Sequence, residues 1–199
     1  MKNKPFVRFL GDVHGCYSKY HDLIKKSKYS IQLGDFGFEY NTLDKVDFNN
    51  HKILKGNHDN YDIDGPHFLG DFGTIELGGY NIFFIRGSHS IDRQYRIPHQ
   101  SWWPQEELNH IQANECIELY EKTKPDFVIS HDCPIDCYQF LVYNIDKLSY
   151  TARLLQILWQ IHHPSNWIFA HFHKSWEDTV ETTRFRCLNI LECIDFPVQ

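Results

Sequence analysis

Five short clusters of His, Asp and Asn each follow a short apolar run: Gly11-Asp12-Val13-His14-Gly15, Gly34-Asp35-Phe36-Gly37, Gly56-Asn57-His58-Asp59, Ser130-His131-Asp132 and Ala170-His171-Phe172-His173. Imidazole and carboxylate together suit Mn, Fe, Zn or Co better than Ca or Mg, because hard cations favour shells of oxygen alone. Asp12, His14, Asp35, Asn57, His131, His171 and His173 make seven candidate donors. Seven exceeds one tetrahedral zinc shell and suits two ions that share a bridging group. Such a centre activates water near neutral pH and clamps the oxygens of an in-line displacement, which is metal-assisted phosphoester hydrolysis.

The elements that must position these donors follow from apolar patterning. The runs 6–12, 29–35 and 52–57 each end in Gly followed by a polar residue, and the first leads into Tyr17, Tyr20, Leu23 and Ile24 at helical spacing. Residues 73–86 hold two apolar segments split by Gly78-Gly79, a β-hairpin signal. Pro104 and the acids after it predict a helix over 104–122, with Leu108, Ile111, Ile117, Leu119 and Tyr120 facing inward and Pro125 ending it. Strands are expected at 127–131, 167–171 and 185–194, and a helix at 151–162. Strands alternating with helices around a central hairpin predict an α/β sandwich with mixed sheets, as one domain over 1–199. Loops at the carboxyl ends of strands converge on one crevice in open α/β sheets, so clusters far apart in sequence can meet there.

Composition narrows the function classes. With 42% hydrophobic and 16% aromatic residues over 199 positions, the chain can bury a sizeable core, which excludes disorder, collagen and coiled coil. Twenty Lys and Arg against 26 Asp and Glu give a net charge of −6, which argues against extended binding along nucleic-acid phosphates. No apolar run spans a bilayer and the first residues lack a signal-peptide stretch, so a cytoplasmic protein with no membrane association is expected. Its six cysteines are then expected to be reduced. Oligomeric state stays open.

Taken in order, the five clusters resemble the calcineurin-like metallophosphoesterase superfamily, in particular its small stand-alone bacterial and phage members, over residues 11–173. The resemblance implies a four-layer sandwich of two mixed β-sheets flanked by helices, with the metal site at the carboxyl ends of strands. It implies one divalent ion on Asp12, His14, Asp35 and His173. A second ion would be held by Asp35, Asn57, His131 and His171, with Asp35 as the bridge and a hydroxide between the ions. Mn is the first choice of metal, with Fe, Zn, Ni or Co as alternatives. His58 would stabilise the transition state or protonate the leaving oxygen, and Asp59 would orient its imidazole. The implied activity is hydrolysis of phosphomonoesters or phosphodiesters. The alternatives are a catalytically silent scaffold on the same fold and a Ser/Thr protein phosphatase.

Against the protein-phosphatase branch, Asp35 is followed by Phe-Gly-Phe-Glu rather than the family's x-x-Asp-Arg-Gly, so that branch's phosphate-binding Arg is missing. Arg86, Arg93 and Arg96, in or beside the irregular stretch 87–103, are candidate substitutes, because guanidinium grips phosphoryl oxygens bidentately. His21, His51, His67, His110, His162 and His163 read as ordinary imidazoles, whereas His89 and His99 are undecided. Trp102 and Trp103 read as packing residues, and Cys16 as a packed thiol rather than a nucleophile.

Overall fold

The computed structural model describes residues 5–142 and 149–199; the signal-peptide reading of the first residues lies partly outside this range. Three parallel strands, β1 (Phe6–Leu10), β2 (Tyr29–Gln32) and β3 (His51–Ile53), form one sheet with β10 (Cys193–Pro197) antiparallel to β1, in the order β10-β1-β2-β3. The second sheet runs β4 (Phe72–Leu77), β5 (Tyr80–Ile85), β6 (Phe127–Ser130), β7 (Asn166–Phe169), β9 (Thr183–Cys187) and β8 (Trp176–Val180). Its four inner strands are parallel, and its edge strands β4 and β8 are antiparallel to their neighbours.

Alternation along each strand builds three apolar layers. Val7, Phe9, Ile31 and Leu33 face Ile82, Phe84, Phe127, Ile129 and Ile168 between the sheets, and Phe9 stacks on Phe127 with ring centroids 5.2 Å apart. Phe83, Ile85, Val128, Trp167 and Phe185 point the other way, onto α2 (His110–Thr123), α3 (Ile135–Leu141) and α4 (Tyr150–Ile161). Leu10, Ile53 and Phe36 meet Tyr20 and Ile24 of α1 (Tyr17–Ile24) outside the first sheet. Each buried Phe of these layers contributes about 1.5–3 kcal/mol. The result is the expected four-layer sandwich, helix, sheet, sheet, helix. Among the described residues no helix is long and apolar enough to cross a membrane.

Two expected elements need correction, and two further elements were missed. The helix predicted over 104–122 is two pieces: a short 3-10 turn at Pro104–Glu106, then α2 from His110. Asn109 takes the start because its side chain accepts the N–H groups of Ile111 and Gln112 at 2.9 and 3.0 Å, while Gln112 returns a bond to the Asn109 N–H. Leu108 and Tyr120 are buried and Ile117 and Leu119 half-buried against the core as expected, with Ala113 and Cys116 beside them, whereas Ile111 is 70% exposed. The strand expected at 185–194 is two strands in different sheets, β9 and β10, and the chain crosses between them at 188–192. Helix α3 and strand β8 were not anticipated; the first has only 7 residues and the second is a mostly exposed, charged edge.

Candidate metal centre

Every donor cluster leaves the carboxyl end of a strand: Asp12 and His14 after β1, Asp35 after β2, Asn57 after β3, His131 after β6, and His171 and His173 after β7. Hydrogen bonds tie these loops to one another, since Val13 and His14 N–H donate to the Asp35 carbonyl at 3.0 and 2.8 Å and Ala170 N–H donates to the His131 carbonyl at 3.1 Å. Four of the candidates, His14, Asp35, His171 and His173, have left-handed backbones with φ between 45° and 69°. Asp and His tolerate that region better than most residues, and such strain gathers where side chains must be aimed. Gly34, with φ of 106°, and Gly56 are needed for a different reason. A Cβ on the first would collide with the His131 ring, and one on the second with the Asp35 carboxylate and His131.

The side chains assemble into two groups that share Asp35. Asp12, His14, Asp35 and His173 form one, and Asp35, His131 and His171 the other, each with donor atoms within 4.8 Å of one another. In the first, Asp12 Oδ2 lies 2.9 Å from His173 Nε2 and 3.6 Å from His14 Nε2, and the two imidazole nitrogens are 2.8 Å apart. In the second, His131 Nε2 is 3.3 Å from Asp35 Oδ1 and 3.1 Å from Asn57 Oδ1, which brings Asn57 to the same place.

These donor sets, which mix imidazole with carboxylate and amide oxygen, fit divalent metal ions. Asp12 Oδ2 is buried and has no hydrogen-bond partner despite its two close imidazoles, as expected when donors aim at a common point rather than at each other. Separations near 3 Å match the edges of a coordination shell with bonds of roughly 2.0–2.2 Å. His131 Nδ1–H donates to the Leu33 carbonyl at 2.7 Å, which leaves Nε2 as its ligating atom.

Electrostatics point the same way. Burial pushes the Asp35 carboxyl up, but the charge and hydrogen bond of His131, helped by His58 and His171, outweigh it and hold Asp35 well below the usual carboxylate range. Burial likewise opposes charge on His131, yet Asp35 and Asp12 raise that imidazole to about 10. Burial raises Asp12, and the neighbouring His14 and His173 more than reverse it; Asp12 in turn raises His14. Without a cation, His131 and His14 are the carboxylates' counterions, and an ion bound there would take that place and release their protons.

Asp35, Asn57, His171 and His173 line a cavity of about 680 Å³ together with His58, Arg96, Ile91, Tyr138, Val142 and Phe172. Arg96 Nη2 donates to His58 Nε2 at 3.0 Å, and its guanidinium is fixed by Asp92 at 2.8 Å and the Ser101 carbonyl at 3.1 Å. Burial, followed by the Asp35 and Arg96 charges acting in opposite directions, leaves His58 below its ordinary value. Arg86 and Arg93 do not join the cavity lining. Arg86 is buried on Asp71 and the Gln105 carbonyl with its guanidinium 4.5 Å over Tyr61, and Arg93 is exposed.

Asp59 does not orient His58: among the described residues no hydrogen bond joins it to that ring. Its buried carboxylate accepts the N–H groups of Asp35, Phe36, Gly37 and Gly56 at 2.7–3.2 Å and the Tyr40 hydroxyl at 3.2 Å. It thus pins the β2 loop to the β3 loop. Burial and the Asp35 charge raise it to about 6. Asp59→Asn would turn an NH2 group on some of these donors and is expected to destabilise the metal-free protein by about 2–4 kcal/mol. A urea titration checks this, and an unchanged midpoint would remove the clamp from the account.

Of the undecided histidines, His89 lines the cavity beside Glu107 at 3.3 Å, and His99 pairs with Asp62 at 3.0 Å on the surface. The six histidines read as ordinary imidazoles join neither donor group among the described residues. Trp103 is buried and donates to Asp62 at 2.7 Å, a packing position as expected, and Trp102 is half-buried. Cys16 is exposed rather than packed, because it occupies the turn that opens α1. Ser88 and Ser90, beside Asn57 and His171, were missed. The signal was available, since Gly87-Ser88-His89-Ser90 follows β5 with the same glycine-then-polar punctuation as the other clusters.

A family model described as calcineurin-like phosphoesterase matches residues 7–175. No curated protein matches the sequence. In fold, the chain is similar to a novel phosphatase from Mycoplasma pneumoniae, with a TM-score of 0.51 and 14% identity over 96% of this chain and 73% of that one. It is similar to a hypothetical protein from Thermus thermophilus, with a TM-score of 0.50 and 17% identity over 92% and 75% of the two chains. A second crystal structure from Thermus thermophilus aligns over 99% of this chain and 100% of that one, with a TM-score of 0.51 and 9% identity. At such identities the likeness is one of fold.

Proposed function

Because the chain belongs to the calcineurin-like phosphoesterase family, we propose that it hydrolyses phosphomonoesters or phosphodiesters with two divalent ions held by its Asp/His groups. The observation that carries this reading is the convergence of the two groups on Asp35, which also lines the cavity. In this reading Asp12, His14, Asp35 and His173 hold one ion, and Asp35, Asn57, His131 and His171 the other. Ions bound there, Mn first or else Fe, Zn, Ni or Co, would supply a water acidic enough to attack phosphorus near neutral pH and positive charge opposite the phosphoryl oxygens.

The remaining work falls to this chain's own side chains. Arg96 is pre-positioned by Asp92 and Ser101, so a phosphoryl oxygen entering beside it can take the Nη2 donor now given to His58. His58 Nε2, released from that bond, can then take up a proton from solvent and pass it to the leaving oxygen. Ile91, Val142 and Phe172 give the leaving group an apolar wall that excludes water from one side. We place the protein in the cytoplasm. We take residues 1–199 to act as one domain.

The test is turnover of p-nitrophenyl phosphate and bis-p-nitrophenyl phosphate by protein loaded in turn with Mn, Zn, Ni or Fe. Hydrolysis of at least one ester, abolished by chelation, is expected. Two bound ions with no hydrolysis of either ester would favour a silent scaffold.

A further inference from the structure

Two serines in the loop after β5 each stand between a buried carboxylate and one side chain of the second donor group. Ser90 Oγ donates its single proton to Glu106 Oε2 at 2.6 Å, and Glu106 Oε1 accepts the Ser90 N–H at 2.9 Å. That hydroxyl oxygen then accepts from Asn57 Nδ2 at 3.1 Å, so Asn57 Oδ1 is turned to the other side, 3.1 Å from His131 Nε2. Ser88 repeats the arrangement, donating to Asp132 Oδ2 at 2.8 Å and lying 3.3 Å from His171 Nε2. A hydroxyl that has given its proton to a carboxylate can only accept. His171 Nε2 therefore carries the ring proton, and Nδ1 keeps the free lone pair.

We infer that Ser88 and Ser90, anchored by Asp132 and Glu106, are positioning residues: they fix the tautomer of His171 and the amide orientation of Asn57, so that Nδ1 and Oδ1 serve as ligands of the second ion. The anchors are well suited to this task. Asp132 is fully buried and accepts the Cys133 N–H, the Tyr138 hydroxyl and the Ser149 hydroxyl at 2.7–2.8 Å besides Ser88, so its oxygens cannot turn away. Glu106 is buried too, delivered by the 3-10 turn that interrupts the expected helix. Ser88 and Ser90 are two apart on one loop, and each serves a ligand from a different strand end. Hydrogen bonds of this kind set ligand orientation, and their loss typically costs 10–100-fold in metal affinity.

The inference rests on the two-ion reading, and its test separates the two. Nitrogen-15 spectra of the metal-free protein at pH 8, with His171 assigned by comparison with His171→Gln, report the tautomer without any ion. The wild type is expected to show Nε2–H. In Asp132→Asn the Cys133 N–H keeps an oxygen on its side, so the new NH2 faces Ser88, turns that hydroxyl towards His171 Nε2 and inverts the tautomer to Nδ1–H. Calorimetric titration with Mn is expected to show a 10–100-fold loss for the second ion in Ser88→Ala and Ser90→Ala, and unchanged affinity for the first. Nδ1–H in the wild type, or Ser→Ala variants that bind both ions as tightly as the wild type, would overturn the inference. A wild type that shows Nε2–H and takes up only one ion would instead count against the two-ion reading and leave the Ser88 arm standing.

Discussion

Asp35→Asn is expected to lower turnover at least a thousandfold and to abolish tight binding of both ions while the fold survives. Among the described residues Asp35 is the one common to the two donor groups, so a change there reaches both at once. Its Oδ1 already accepts the His58 N–H at 2.8 Å, a bond that an amide oxygen can keep. The other oxygen, on the His14 side, then becomes an NH2 that points hydrogens to where a cation must sit. Removing the buried negative charge also removes what attracts that cation. Loss of about 4 kcal/mol of transition-state stabilisation corresponds to about a thousandfold in rate. The backbone tolerates the change, because Asn adopts the left-handed conformation that Asp35 holds at φ 57°. Circular dichroism with ion counting checks both halves, and wild-type turnover in this variant would sink the ligand assignment.

His58→Ala is expected to behave differently: kcat falls about 100- to 1,000-fold while both ions stay bound. Only the backbone N–H of His58 touches Asp35, and the substitution preserves it. The imidazole belongs to neither donor group and reaches the cavity, where Arg96 is its hydrogen-bond partner. Its removal therefore subtracts a proton carrier from the leaving-group side and leaves the ligands alone. Steady-state kinetics paired with metal analysis separates the outcomes, and loss of an ion would mean that His58 acts as a ligand rather than as an acid.

The donors were legible because they obey a local rule. Asp12, Asp35, Asn57, His131 and His171 each follow a short apolar strand, and parallel strands deliver such residues to one end of a sheet. What orients them was less visible. Asp59 looks like a partner of its neighbour His58 in sequence, yet a strand-end turn carries it to four backbone N–H groups. Arg86, Arg93 and Arg96 carry the same charge in one stretch, but Asp71 holds Arg86 in the core while Asp92 turns Arg96 to the cavity. No periodicity separates those fates, because they depend on partners distant in sequence.

The missed elements have physical reasons as well. The β8–β9 hairpin turns at Glu181, with φ of 53°, where a glycine would have announced it. Residues 185–194 read as one strand because both halves are apolar. Leu188, however, is buried between the sheets, and Leu191, with φ of 57°, helps reverse the chain towards β10. For α2, a Pro with following acids competed with a capping box five residues later, and the reciprocal hydrogen bonds of Asn109 and Gln112 prevailed.

The most direct test of the central claim is an anomalous-diffraction map of crystals soaked in Mn. Two peaks are predicted, one among Asp12, His14 and His173 and one among Asn57, His131 and His171, with the Asp35 carboxylate between them. A single peak, or ions seated away from Asp35, would contradict the account.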